Sequence, residues 1–297
     1  MKCLEILKIN IKNICKSSIT IAGCFFSILS VVLSFMTWEE LGVMSVYLKI
    51  TIFAILLLIS LVIGGFWIAI VKRNNVVWSV GDGKINICYA DIMKFAFPKK
   101  SRRKKIIVIP VNTSFDTIVD EEISLYDKPL VSPTTIHGRW IKNMVRHGFK
   151  IEDIDSAIDK YIGLRNIQPL KILSTQEKRR GKLNCFENGT TVIMKGKNNI
   201  EFFLVALSEF DENNKAQTSK EEVFEFVKKL LDIYDSKGQG YEMYIPLVGT
   251  GRSRAGLTHT DSLHIIKSIL TLNGDKIHGT INVVIYPKDR DKVSIFE

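Results

Sequence analysis

From Ser17 to Trp38 the chain has no charged side chain, and from Ile50 to Val71 it again has none. Each run is about 22 residues long, which at about 1.5 Å per residue reaches across a hydrocarbon core of about 30 Å. A backbone in lipid must satisfy its own hydrogen bonds, so runs of this length are helices if they enter a bilayer. Two buried core helices are the other reading. A signal peptide has a shorter apolar region, a small-residue cleavage site and no second span behind it. The runs therefore predict a transmembrane hairpin, with spans at residues 17–38 and 50–71 inside an N-terminal segment of residues 1–73.

Orientation follows from the flanks. Lys2, Lys8, Lys12 and Lys16 precede the first span, and Lys72 and Arg73 follow the second, whereas the link holds Glu39, Glu40 and Lys49. The positive-inside rule places both termini, and everything after residue 73, in the cytoplasm. Gly23, Ser27, Ser30 and Ser34 line one face of the first span, and Ser60 and Gly64 one face of the second. Such faces let helices approach closely, either within the hairpin or between copies of the chain as a homo-oligomer. Neither span holds an ionisable relay, which argues against a transporter.

The rest of the 297-residue chain reads as one domain, residues 74–297. The five cysteines (Cys3, Cys15, Cys24, Cys88 and Cys185) are scattered without a C-x-x-C pair, so reduced thiols are expected, with no disulfide framework and no metal site. The formal charge of +10 fits a phosphate-bearing ligand, an anionic lipid surface or nucleic acid. Lys99 to Lys105 is a basic run, and Lys178 to Lys182 a second, but neither has the interleaved aromatics or fold signature of a nucleic-acid binder. Nucleic acid is not expected as a partner.

Ile106 to Val111 is a continuous apolar run of the kind a buried parallel strand shows. Further strands are predicted at Thr190–Lys195, Ile200–Leu207, Tyr241–Val248 and Ile281–Tyr286, with looser alternation over Val76–Ile87. Amphipathic helices are predicted at Ile151–Leu164 and Thr260–Leu272. Another opens at Ser219, where Ser-Lys-Glu-Glu makes a capping box, and ends at Gly238. Strands alternating with helices give an α/β fold of three layers with a largely parallel or mixed sheet.

Three loops beside these strands carry chemistry. Asp91-Ile92 supplies a carboxylate, Asn112-Thr113-Ser114 follows the apolar strand, and Gly249-Thr250-Gly251-Arg252 sits between a strand and a helix. Glycines there permit close approach of an anion to backbone N–H groups and to a helix N-terminus. A plain strand-to-helix turn accounts for the same glycines, and a turn or cap for Asp91. The loop is neither a Walker A motif nor a dinucleotide fingerprint, because no Gly-Lys-Ser/Thr follows and Arg254 stands where the third glycine would be. His137 beside Gly138 is a core or ligand-contacting candidate. His259 and His264 lack a metal-ligand spacing, and no nucleophile–base pair is recognisable, so no catalytic residue is assigned.

Ala90-Asp91-Ile92 ahead of an apolar strand, Asn112 directly after it, and Pro246-Leu247-Val248-Gly249-Thr250-Gly251 before a helix resemble, in order, the motifs of the macro domain. The likeness spans about residues 76–287, with extra helices inserted. With the two-span hairpin in front, the chain is similar to the membrane-anchored macro-domain effectors of type II Thoeris antiphage systems. That resemblance implies a domain that binds an ADP-ribose-derived signal, histidine-ADP-ribose, made by a TIR-domain partner. It further implies oligomerisation and disruption of the membrane lipid that halts phage propagation. Asp91 and Ile92 would face adenine, Asn112, Thr113 and Ser114 the distal ribose, and Gly249, Thr250, Gly251 and Arg252 the diphosphate. No cofactor is implied beyond that ligand. Ala90 replaces the family's usual glycine and the asparagine-rich loop is reduced, which weighs against the alternative of a membrane-tethered ADP-ribosyl hydrolase.

Overall fold

The computed structural model describes residues 2–122, 130–178, 180–210, 216–251 and 255–297. The chain divides into two compact units, one formed by residues 2–75 with Arg290–Phe296, the other by Val76–Asp289.

The first unit is helical: α1 (Lys2–Ile9), α2 (Ile11–Phe35) and α3 (Val46–Phe66), the last continued by a π-helical turn at Trp67–Val71. Both α2 and the α3 continuation are long and apolar enough to cross a membrane. Ile14, Ser18 and Ala22 of α2 face Ser60 and Gly64 of α3, and these are the buried positions of the two helices. Gly64 has to be glycine, because a Cβ there would meet Ser18 Oγ at 2.3 Å. Phe26 and Phe53 stack with ring centroids 4.5 Å apart. Thus the Ser60–Gly64 face packs within the hairpin. Gly23 has no atom within 4 Å of a built Cβ, and Ser27, Ser30 and Ser34 are exposed with it.

The C-terminal segment, expected from the sequence to belong to the large domain, groups with these helices. Ser294 Oγ donates to Asn10 Oδ1 at 2.7 Å, Asn75 Nδ2 to the Ile295 carbonyl at 3.1 Å, and Arg290 to the Ala69 carbonyl.

The second unit is a mixed sheet between helical layers. Its strands are β1 (Asn74–Val80), β2 (Gly83–Tyr89), β3 (Lys105–Asn112), β6 (Thr191–Lys195), β7 (Ile200–Phe210), β9 (Glu242–Pro246) and β10 (Thr280–Ile285). A short pair, β4 (Lys171–Ile172) and β5 (Asn184–Cys185), lies apart, and β8 (Ala216–Gln217) pairs with the end of β7. The main order is β1-β2-β10-β9-β3-β7-β6. β2, β10, β9, β3 and β7 run parallel, and β6 returns antiparallel to β7.

Strand β3 is buried on both faces, which explains its continuous apolar run. Ile107, Ile109 and Val111 face one layer, built from α4 (Ile92–Ala96), α5 (Ile136–Arg146) and α6 (Ile151–Leu164), where Trp140, Met144 and Ile154 are buried. Its alternate residues Ile106 and Val108 are equally buried on the other face. The remaining helices are α7 (Lys220–Lys237), opened by the predicted capping box at Ser219, and α8 (His259–Leu272), opened by a second box between Thr258 and Asp261. Because five strands run parallel, their C-terminal ends and following loops gather at one end of the sheet. Ligands collect at that end in open α/β sheets. The basic run leads into the N-terminal end of β3, away from those loops, and two of its lysines pair locally, Lys104 with Glu201 at 3.0 Å and Lys105 with Glu242 at 3.6 Å.

Candidate ligand-binding site

Asp91 ends the connection from β2 and is the N-cap of α4. Its Oδ1 accepts from the Met93 backbone N–H at 3.1 Å, and its Oδ2 from Arg139 Nη2 at 2.5 Å. The cap fixes the carboxylate at the strand end, and Arg139, in the first turns of α5, balances its charge. The Arg139 guanidinium in turn lies 5.6 Å from the centroid of the Tyr286 ring, a cation–π distance.

Past β9 the chain turns through Leu247, Val248, Gly249, Thr250 and Gly251. Ser262 Oγ of α8 donates to the Val248 carbonyl at 2.6 Å, which ties the loop to the helix start. Gly249 has φ +80°, and a Cβ there would come within 2.8 Å of Leu257 Cδ1. Gly251 differs: open space surrounds it, so its lack of a side chain serves access and not packing. Arg252 lies outside the described residues.

Asn112 closes β3 with its side chain turned to the protein. Its Nδ2 donates to Asp116 Oδ2 at 2.6 Å, and its Oδ1 accepts from the Asp116 N–H at 3.0 Å. Asp116 also accepts from Lys178 Nζ at 2.6 Å and from the Lys182 N–H at 2.7 Å. Both charged side chains of this pair are buried, and the hydrogen bonds around Asp116 meet the desolvation of its charge. Thr113 and Ser114 are buried behind this turn. Thr113 bonds by its backbone to Ser208 and Phe186, and Ser114 Oγ lies 3.2 Å from Cys185 Sγ.

A cavity of about 1150 Å³ opens over these loops. Asp91, Ile92, Asn112, Gly249, Thr250 and Gly251 line it together; Thr113 and Ser114 do not. The volume lies above the range of roughly 300–1,000 Å³ usual for small-molecule sites, which leaves space for a large ligand.

Several lining residues carry no sequence signal that singled them out. Leu130 to Ile136 form one wall together with His137, which the sequence offers as a core or ligand-contacting candidate. The wall ends at α5, capped by Thr135 Oγ1 accepting from the Gly138 N–H at 3.1 Å, and a Cβ on Gly138 would strike the Ser132 carbonyl at 2.1 Å. His137 is buried in that wall, and desolvation pushes its pKa down to about 3, so the imidazole is neutral. Arg139 and Tyr286 form another side. His259 and Asp289 close a third, with Nε2 and Oδ1 3.4 Å apart. Tyr286 is the last residue of the predicted strand Ile281–Tyr286 and directly follows the observed β10, a strand-end position at which sequence reasoning could have found it; nothing local marks Arg139. The cavity offers a carboxylate, guanidinium donors, an aromatic face and a glycine-rich backbone, a set suited to a nucleotide. Among the described residues no group of three or more His, Cys, Asp or Glu side chains could hold a metal ion.

Residues 85–286, well over half of the chain, match the model of the family described as Thoeris protein ThsA, Macro domain. The chain belongs to that family. A Thoeris protein ThsA from Bacillus amyloliquefaciens (strain Y2) is 25% identical over 240 residues, 78% of this chain and 72% of that protein. Among solved structures, a variant of the Oceanobacillus iheyensis macrodomain with ADPR has a TM-score of 0.46 at 12% identity, covering 73% of this chain and 92% of its own. The same macrodomain with ADP gives 0.45 at 11% identity, covering 74% and 93%. The ThsA macro match begins within β2 and ends at Tyr286, so it encloses Asp91, the Asn112 turn and the glycine loop.

Proposed function

We propose that this chain is a membrane effector of antiphage defence whose macro domain binds an ADP-ribose-derived signal and passes the event to the helical hairpin. The observation that carries the reading is the meeting of the Asp91 carboxylate and the Gly249–Gly251 loop on one cavity of about 1150 Å³. In this reading Asp91 accepts from the adenine amine beside Ile92, and Gly249, Thr250 and Gly251, with Arg252, hold the diphosphate at the approach to α8. Asn112 bounds the distal ribose. Histidine-ADP-ribose made by a TIR-domain synthase is the signal that fits the family.

Sensing is favoured over turnover. The Asn112 amide gives one N–H and one oxygen lone pair to Asp116, so part of its hydrogen-bonding capacity goes to holding a buried charge and not to the ribose. Transmission has a covalent route: Lys288 and Asp289 line the cavity, and the next residue, Arg290, already belongs to the hairpin unit. Differential contacts of the ligand with two arrangements of this segment would shift their populations. The exposed Gly23, Ser27, Ser30 and Ser34 face supports self-association of hairpins in the bilayer, with both termini cytoplasmic, as the route to membrane disruption.

Isothermal titration of the full-length, detergent-solubilised chain with ADP-ribose and with histidine-ADP-ribose tests the reading. Saturable binding that Asp91→Ala weakens about tenfold or more supports it. No binding of either compound ends it.

A further inference from the structure

We infer that Arg139 is a base-reading residue of the site, donating to a ring nitrogen of the adenine whose exocyclic amine Asp91 accepts. This deepens the ligand reading above and rests on it.

Arg139 and Asp91 are 48 positions apart in sequence, yet Nη2 and Oδ2 are 2.5 Å apart, and both residues line the cavity. Neither side chain is shut away: Arg139 is 28% and Asp91 22% exposed. The Tyr286 ring lies 5.6 Å from the guanidinium carbon, a cation–π contact that, with the bond to Asp91, holds the guanidinium at the cavity.

An ionised carboxylate offers about four lone-pair sites and a guanidinium five N–H donors. The bonds from Met93 and Arg139 use two of the carboxylate sites, and the bond to Asp91 is one of five available to Arg139. What remains is an acceptor edge adjoining a donor edge. Adenine is complementary to such a pair, because its amine lies next to an acceptor nitrogen on either side, N1 on one edge and N7 on the other. A lone carboxylate recognises only the amine. The pair recognises amine and ring nitrogen together, and the ion pair keeps the carboxylate from burying an uncompensated charge under the base.

Chemical editing of the ligand separates this role from a structural one. The probes are ADP-ribose and its 1-deaza- and 7-deaza-adenine analogues, titrated into the full-length chain in detergent. The wild-type chain is expected to bind one analogue about tenfold more weakly than the parent. In Arg139→Met, ADP-ribose itself weakens about tenfold, and the same analogue binds within about twofold of the parent, since the donor it had lost is gone from the protein too. Arg139→Lys keeps the charge beside Asp91 and restores part of the analogue penalty, which guards against a Met variant that fails to fold. A full analogue penalty persisting in both variants overturns the inference, as does a wild-type chain indifferent to both deaza changes. A wild-type chain that binds no ADP-ribose instead overturns the ligand reading itself, so the two failures are distinct.

Discussion

The side-chain amide of Asn112 is bonded at both ends to one residue, Asp116, its Nδ2 2.6 Å from Oδ2 and its Oδ1 3.0 Å from the backbone nitrogen. The residue expected to face the ligand thus has a second task, which is to hold a buried carboxylate against Lys178. This sets how its variants must be read. Asn112→Ala should lower stability by about 1–3 kcal/mol, because Asp116 loses a donor. Lys178→Met should cost about 3–5 kcal/mol by leaving the carboxylate buried without its cation. Thermal melts of the solubilised chain check both. A loss of any activity in Asn112→Ala is informative only beside an unchanged melt.

The glycine loop should separate folding from binding. Gly249→Ala forces a side chain into φ +80° and against Leu257, and should destabilise by about 1–2 kcal/mol, a fall of several degrees in Tm. Gly251→Ala meets open space, so its Tm should match the wild type within about 1 °C, while ADP-ribose affinity falls where the diphosphate approaches the backbone. Equal effects on Tm at the two positions would contradict this division.

His137 predicts a pH dependence of known sign. Its folded pKa lies near 3, below the ordinary value of 6.5. Above about pH 6.5 both folded and unfolded chains carry a neutral imidazole and nothing is lost. Between about pH 6.5 and 3 the unfolded chain takes up a proton that the folded chain refuses, so stability falls by up to about 1.4 kcal/mol per pH unit. His137→Gln removes this contribution. Denaturant melts at pH 7.5 and 5 should show a smaller acid loss in the variant than in the wild type.

In the hairpin, Gly64→Val should separate α2 from α3, since even one added carbon would sit 2.3 Å from Ser18 Oγ. Disulfide trapping between Phe26→Cys and Phe53→Cys, whose rings now stack at 4.5 Å, reads this directly and should drop in the Gly64 variant. Gly23→Ile, on the open face, should leave that intramolecular cross-link intact and reduce cross-linking between copies.

Removing residues 290–297 should leave ADP-ribose binding within about threefold of the wild type, because the lining of the cavity ends at Asp289. Ligand-dependent leakage of reconstituted vesicles should be lost, because Asn10, Ala69 and Asn75 lose their partners on the tail. Retained leakage would show that the signal travels by the other connection, at residues 72–76.

Much of this molecule is local in origin and was legible from the chain alone. The uncharged runs, the 2- and 3.6-residue periods, and the Ser219 capping box each depend on neighbours within a few residues, and α6, α7, α8, β3 and β9 formed where those patterns stand. Asp91, Asn112 and the glycine loop were visible because strand ends collect functional loops. The sequence did not carry the sheet order, which brings β2, β10, β9, β3 and β7 side by side although they are scattered along the chain. That order alone decided that Arg139 meets Asp91, that Tyr286 lies beneath the guanidinium, that residues 130–137 become a wall, and that Thr113 and Ser114 turn inward while Asn112 stays at the cavity. Periodicity reports which face of an element is buried; which partner it is buried against is fixed by long-range packing, and the shape of the cavity is a property of that packing.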